Sequence, residues 1–197
     1  MKHRLGLAAA VVIGVVGLSG CQTSQLGAAA IVDGQRIKVS EIESTLDHIR
    51  DQRAQHGLST DLGPDAARGE VQRRVLDLVY ERAASDLGIT ITDADVQATR
   101  DADSRSDAEL ADLAAQNNVS VDNLDDLFRR FTFEKKISDL VDKQFPGASE
   151  EKLNTEFSNR LESTARELNI RINPRYGTFD PVVGQINPLE PDYLKAP

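Results

Sequence analysis

The sequence predicts a mainly α fold with small β elements near its two ends. Three observations carry this. Apolar residues recur at helical spacing in five or six successive segments, each opened by a capping residue or closed by glycine. Short strand-like runs occur at Ile31–Ile37 and Ile170–Ile172, with a brief extended link at Ile89-Thr90-Ile91 between helices. The chain has one cysteine, no tryptophan and 5% aromatic residues, so packed helices, not disulfides, must hold it together.

The first 20 residues predict a secretory signal. Lys2, His3 and Arg4 form a basic head, Leu5 to Leu18 is apolar or glycine, and small residues follow. The run is shorter than the roughly 18 residues a membrane span needs. Leu18-Ser19-Gly20-Cys21 resembles the bacterial lipobox, which implies diacylation at Cys21 and cleavage before it. Each buried CH₂ contributes about 0.8 kcal/mol, so two or three acyl chains anchor stably where one does not. Cleavage removes Lys2 and Arg4 and no acid, taking the formal charge from −9 to about −11. That balance opposes nucleic-acid binding and leaves the lipid, not a polybasic segment, to hold the membrane. Acylation of Cys21 would leave no thiol for a disulfide or redox pair.

Residues 21–29 are small and polar, as in a tether. Asp33-Gly34 between apolar runs predicts a hairpin, since both residues tolerate positive φ. Ser40 and Glu43 form a capping-box pattern before Ile42, Leu46 and Ile49, and Gly57 stops that first helix. A second helix runs from about Asp65 or Gly69 to Leu87 on Val71, Val75, Leu78 and Val79, ended by Gly88. Thr92 and Asp95 cap a third, and a fourth covers about Asp107 to Gln116. From Ser120 through Phe145 the pattern predicts the longest helix, roughly 39 Å at 1.5 Å per residue. It has two apolar faces about 140° apart. Leu124, Leu127, Phe128 and Phe131 make one; Phe133, Ile137, Leu140 and Val141 make the other. Such a helix changes partners along its length, kinks near Thr132, or leaves a face open to a ligand. Pro146-Gly147 ends it, and Ser149 caps a last helix on Leu153, Phe157, Leu161, Ala165 and Leu168. Residues 182–197 read as a proline-rich irregular tail.

Three segments resemble the SurA and PrsA foldase family. Ala30-Ile31-Val32-Asp33-Gly34-Gln35-Arg36-Ile37 with Ser40-Glu41-Ile42 is similar to its opening strand-turn-strand-helix. Leu87-Gly88-Ile89-Thr90-Ile91-Thr92-Asp93-Ala94-Asp95-Val96 is similar to its recurring helix junction. Ile172-Asn173-Pro174-Arg175-Tyr176-Gly177-Thr178-Phe179-Asp180 resembles the strand that returns to the N-terminal one. The resemblance implies a helical chaperone domain over 30–181, closed by a small β element joining both ends. It also implies a parvulin isomerase domain inserted before the last helix. At that place, Phe145 to Ser149, this chain has only Pro-Gly-Ala, which argues against isomerase activity.

Beyond the signal the sequence holds two histidines, His48 and His56, eight apart and in no metal or catalytic motif. The Asp101–Asp112 stretch departs from a calcium loop, with Ser106 where glycine should turn, Arg105 at a ligand place and Asp112 instead of the final Glu, so it reads as a solvated loop. Arg73-Arg74 and Arg129-Arg130 read as surface charge with acidic neighbours. No metal, cofactor or catalytic residue is expected. The expected function is a lipid-anchored extracytoplasmic holdase for unfolded or secreted polypeptides, with Phe128, Phe131, Phe133 and Ile137 as candidate contacts because aromatic side chains supply large apolar area. An envelope scaffold that binds one folded partner is the alternative.

Overall fold

The computed structural model describes residues 26–189. Cys21, the signal segment 1–20, most of the expected tether and residues 190–197 lie outside them. Six α-helices and five short strands follow in chain order. Strands β1 (Ala28–Val32) and β2 (Gln35–Lys38) form the expected hairpin, with φ of +47° at Asp33 and +86° at Gly34 in the turn. Helices α1 (Val39–Gln55), α2 (Ala66–Asp86), α3 (Asp93–Asp101) and α4 (Asp107–Gln116) come next, then a 3₁₀ turn (Val121–Asn123), α5 (Leu124–Gln144) and α6 (Glu150–Glu167). Strand β3 (Ile170–Ile172) pairs antiparallel with β1, Ile31 opposite Arg171, so the sheet order is β2-β1-β3 and the first described strand meets one 138 residues later. A second hairpin, β4 (Thr178–Asp180) with β5 (Gln185–Asn187), packs beside it.

Three apolar clusters hold these elements. The largest joins Ala30, Val32 and Ile37 of the sheet to Ile42, Leu46 and Ile49 of α1 and Val71, Val75 and Val79 of α2. Leu168, Tyr176 and Ile186 close it from the C-terminal side. Each such aliphatic side chain taken from water contributes about 1.5–3 kcal/mol. A second cluster joins Val96, Leu110 and Ala114 to Leu124 and Phe128. The third sets Ile137 against Ala83 and Ala84, with Phe157 and Leu161 of α6 beside them.

Several boundaries differ from the expected ones. Strand β1 starts at Ala28, inside the expected tether, because three alanines fit the tightly covered central strand where larger side chains would not; all are at most 1% exposed. Helix α1 starts at Val39, and it is Glu41, not Glu43, that accepts from the backbone N–H of Lys38. Ser120 does cap, accepting from the Asp122 N–H, but it opens the 3₁₀ turn. Helix α5 is therefore 21 residues long, the same as α2. The tail is not irregular through 182–187. Strand β5 pairs with β4 and buries Ile186, whose N–H donates to Gln72 Oε1. The close approach requires glycine at 177, where a Cβ would lie 2.0 Å from the Asn187 carbonyl oxygen. Among the described residues no helix is long and apolar enough to cross a membrane.

Candidate functional site

The structure divides the four expected contact residues of α5. Phe128 and Ile137 are 2% and 0% exposed, which corrects their reading as surface contacts: each is the centre of a different apolar cluster. The two faces of α5 therefore serve two packing partners, α3 and α4 for its first half, α2 and α6 for its second. Phe131 is 40% exposed and meets the Phe128 ring edge-on at 6.1 Å. Phe133 is half-buried, and it lines a cleft.

That cleft has a volume of about 690 Å³. One wall is β2 with Glu41 at the start of α1; the floor is the outward face of α2, from Arg74 through Leu78 and Glu81 to Ser85. The opposite wall is the Ile89-Thr90-Ile91 link and the Asp126, Arg129, Arg130 and Phe133 side chains of α5. A smaller depression shares Gln35, Leu78, Glu81 and Ser85 with it and extends toward the Asp33-Gly34 turn. The α2 floor residues follow helical spacing one face away from Val71, Val75 and Val79, a signal present in the sequence but masked by its charge.

Fixed ion pairs shape the cleft. Glu70, whose side chain is only 5% exposed, accepts from Arg73 Nε at 2.9 Å and Nη2 at 2.7 Å, and from Arg74 Nε at 2.8 Å. Arg74 also donates to Thr45 Oγ1 at 3.0 Å, tying α2 to α1. Asp77 takes Arg73 at 3.2 Å and faces Arg130 of α5 at 3.6 Å. Arg129 reaches Asp93 at 2.8 Å. The expectation of acidic neighbours holds for both arginine pairs, but Arg73 and Arg130 are mostly buried rather than surface groups, at 11% and 16% side-chain exposure. Burial pushes the Asp77 pKa up, and the Arg130 and Arg73 charges only partly offset it. Burial, and then the Glu134 carboxylate, likewise hold the Tyr80 hydroxyl protonated well above its ordinary range. The result is a groove of balanced charge with apolar patches from Ile37, Leu78, Ile89, Ile91 and Phe133. Such a surface can hold an extended chain through both backbone and side chains.

The remaining polar residues have structural partners. His48 faces Asp122 at 3.2 Å and His56 faces Asp112 at 2.5 Å, partners that no local motif announced. In the Asp101–Asp112 stretch, Asp103 pairs with Arg105, Asp107 with Arg100, and Glu109 accepts from Ser106 as a helix cap. Among the described residues no group of three His, Cys, Asp or Glu side chains is placed to hold a metal ion.

The SurA-like N-terminal domain family matches residues 1–132, two-thirds of the 197-residue chain. The protein belongs to that family. Neither a curated protein nor a solved structure gives a match. The match ends at Thr132, within α5. The SurA-like N-terminal domain is a chaperone-type module, and this member carries its α5–α6 connection in residues 145–149 alone.

Proposed function

We propose that the protein is a lipid-anchored extracytoplasmic holdase that binds unfolded or secreted polypeptides in the cleft between β2, α2 and α5, without isomerase activity. The observation that carries this reading is the cleft itself, set in a SurA-like N-terminal domain. It adjoins a second, smaller depression, is of balanced charge and is lined by dispersed apolar side chains. Extended chains of varied sequence suit such a surface. Phe133 supplies the aromatic contact in the cleft; Phe131, exposed on the other face of α5, does not line it, and Phe128 and Ile137 are core residues. Support for the anchor is the likeness of Leu18-Ser19-Gly20-Cys21 to a lipobox; acylation at Cys21 would hold the domain at the outer face of the cell membrane.

The test is suppression of aggregation of a chemically unfolded client by the purified protein. Equimolar protein should delay aggregation, and Phe133→Ser should weaken the delay while the protein stays folded, its unfolding free energy lowered by about 2 kcal/mol for a half-buried aromatic. Absence of any delay for the unsubstituted protein would reject the reading. The burial of Phe128 and Ile137 leaves less exposed apolar surface than a promiscuous binder usually presents. That observation favours the scaffold alternative, which would give one stoichiometric crosslinked partner in place of a spread of clients. Metabolic labelling with a fatty acid, lost on Cys21→Ser, tests the anchor.

A further inference from the structure

The two walls of the cleft belong to parts of the molecule that are joined unequally. Strand β2, α1 and α2 share the largest apolar cluster. Helices α3 and α4 and the first half of α5 share another. Among the described residues no apolar cluster bridges α1 and the α4 segment; the seam between them is polar. Its centre is Gln52, 6% exposed, whose Nε2 donates to the Ala111 and Val119 carbonyls at 3.4 Å and whose Oε1 accepts from the Val121 N–H at 2.9 Å. Arg53 adds bonds to the Ala115 carbonyl at 2.8 Å and Asn118 Oδ1 at 3.0 Å. The His48–Asp122 and His56–Asp112 contacts flank these.

We propose that this seam is a latch: residues 93–123, carried on the first half of α5, unlatch from α1 and widen the cleft for its client. Separating a polar seam exposes little apolar surface, and the groups it frees regain hydrogen bonds from water, so such seams open well below the cost of global unfolding. The structure supplies two joints for the motion. One is the 88–92 link, which enters with Gly88 at φ +67°. The other is Thr132, where α5 passes from one apolar cluster to the next and where Oγ1 donates to the Phe128 carbonyl one turn back, a contact that lets helices bend. The Asp126–Arg130 part of the wall then moves relative to β2 and α2, parting Arg130 from Asp77, while Phe133 stays with α2 beyond the joint. Gating rests on the proposed chaperone reading; the latch itself does not.

Hydrogen exchange on the full chain tests the latch. Gln52→Ala should speed exchange of amides 107–123 about tenfold while β1 to β3 keep their protection. In a Cys21→Ser background, His48→Cys with Asp122→Cys, bridged by a short bismaleimide, should return arm exchange to or below its original rate. Arm amides that exchange only together with the sheet, or a Gln52→Ala effect spread evenly over the molecule, would overturn the latch. Binding of a carboxymethylated unfolded protein tests the gate. The bridged form should bind about fivefold more weakly than the unbridged one, because only the opened fraction binds. Equal affinity overturns gating. Binding by no form at all rejects the holdase reading and leaves the exchange result to decide the latch alone.

Discussion

Glu70 shows how much of this fold depends on single buried charges. It sits on α2 beneath the cleft, and its carboxylate is the shared acceptor for Arg73 and Arg74. Burial alone would lower the Arg73 pKa; the hydrogen bond and charge of Glu70 outweigh it and raise it. Glu70→Ala leaves Arg73 with Asp77 as its carboxylate partner and Arg74 with the Thr45 hydroxyl, two guanidinium groups sharing one acid in a largely buried cluster. It should cost about 3–5 kcal/mol, the range for breaking one side of a buried pair. Urea unfolding reads this as a lower midpoint at unchanged slope. An effect below about 1 kcal/mol would mean that water already reaches the cluster. The sequence displays Glu70, Arg73 and Arg74 at helical spacing, so their pairing was legible. Their depth was not, because it is set by α1 and α5, which cross α2 from distant parts of the chain.

Among the elements, helix starts were the most legible. The Thr92–Asp95 pair and Ser149 both cap as their spacing indicates, since capping is a contact within four residues. The α1 start was misplaced by two residues because Glu41 and Glu43 both follow possible caps, and the pull of the β2 strand decided between them. The two apolar faces of α5 were equally plain; which of them is covered depends on α2, α3, α4 and α6 and cannot be read locally. Acid should test the caps. The bonds from Lys136 and Thr92 hold the Asp95 carboxyl far below its ordinary range. Those from Ser106 lower Glu109, and Arg105 lowers Asp103 to about 2. A carboxylate whose folded pKa lies below its unfolded one stabilises above the unfolded value and loses that contribution as pH falls through the folded one. Helices α3 and α4 should therefore loosen as pH drops from about 4 toward 2, before α2, whose buried Asp77 has a raised pKa and gains stability on protonation. Amide exchange followed by NMR should show the order, and Asp95→Asn with Glu109→Gln should flatten the acid limb. Simultaneous loss of all helices would contradict it.

At the scale of the whole molecule, β1 is the piece that makes one body of the chain. It lies between a partner three residues away across a turn and a partner near the other end; Asn173 Nδ2 donates to the Ala28 carbonyl across 145 residues. The hairpin half was legible from Asp33-Gly34 alone. The β1–β3 half was suggested only by resemblance, because no local rule pairs segments so far apart. The two halves should also separate in time. Closing a loop of that length costs entropy that is regained only once the surrounding core is packed, so β3 should dock after the folding barrier. Ile172→Ala, half-buried opposite Ala30, should cost about 2 kcal/mol. If β3 docks late, nearly all of that falls on unfolding, which should quicken about thirtyfold while refolding barely changes. Ile137→Ala, at the contact of α5 with α2, should instead slow refolding, since those helices form the body to which β3 returns. Stopped-flow chevrons separate the cases. A refolding arm slowed as much by Ile172→Ala as by Ile137→Ala would mean that β1 and β3 meet before the helices pack, and that the sheet, not the bundle, nucleates the fold.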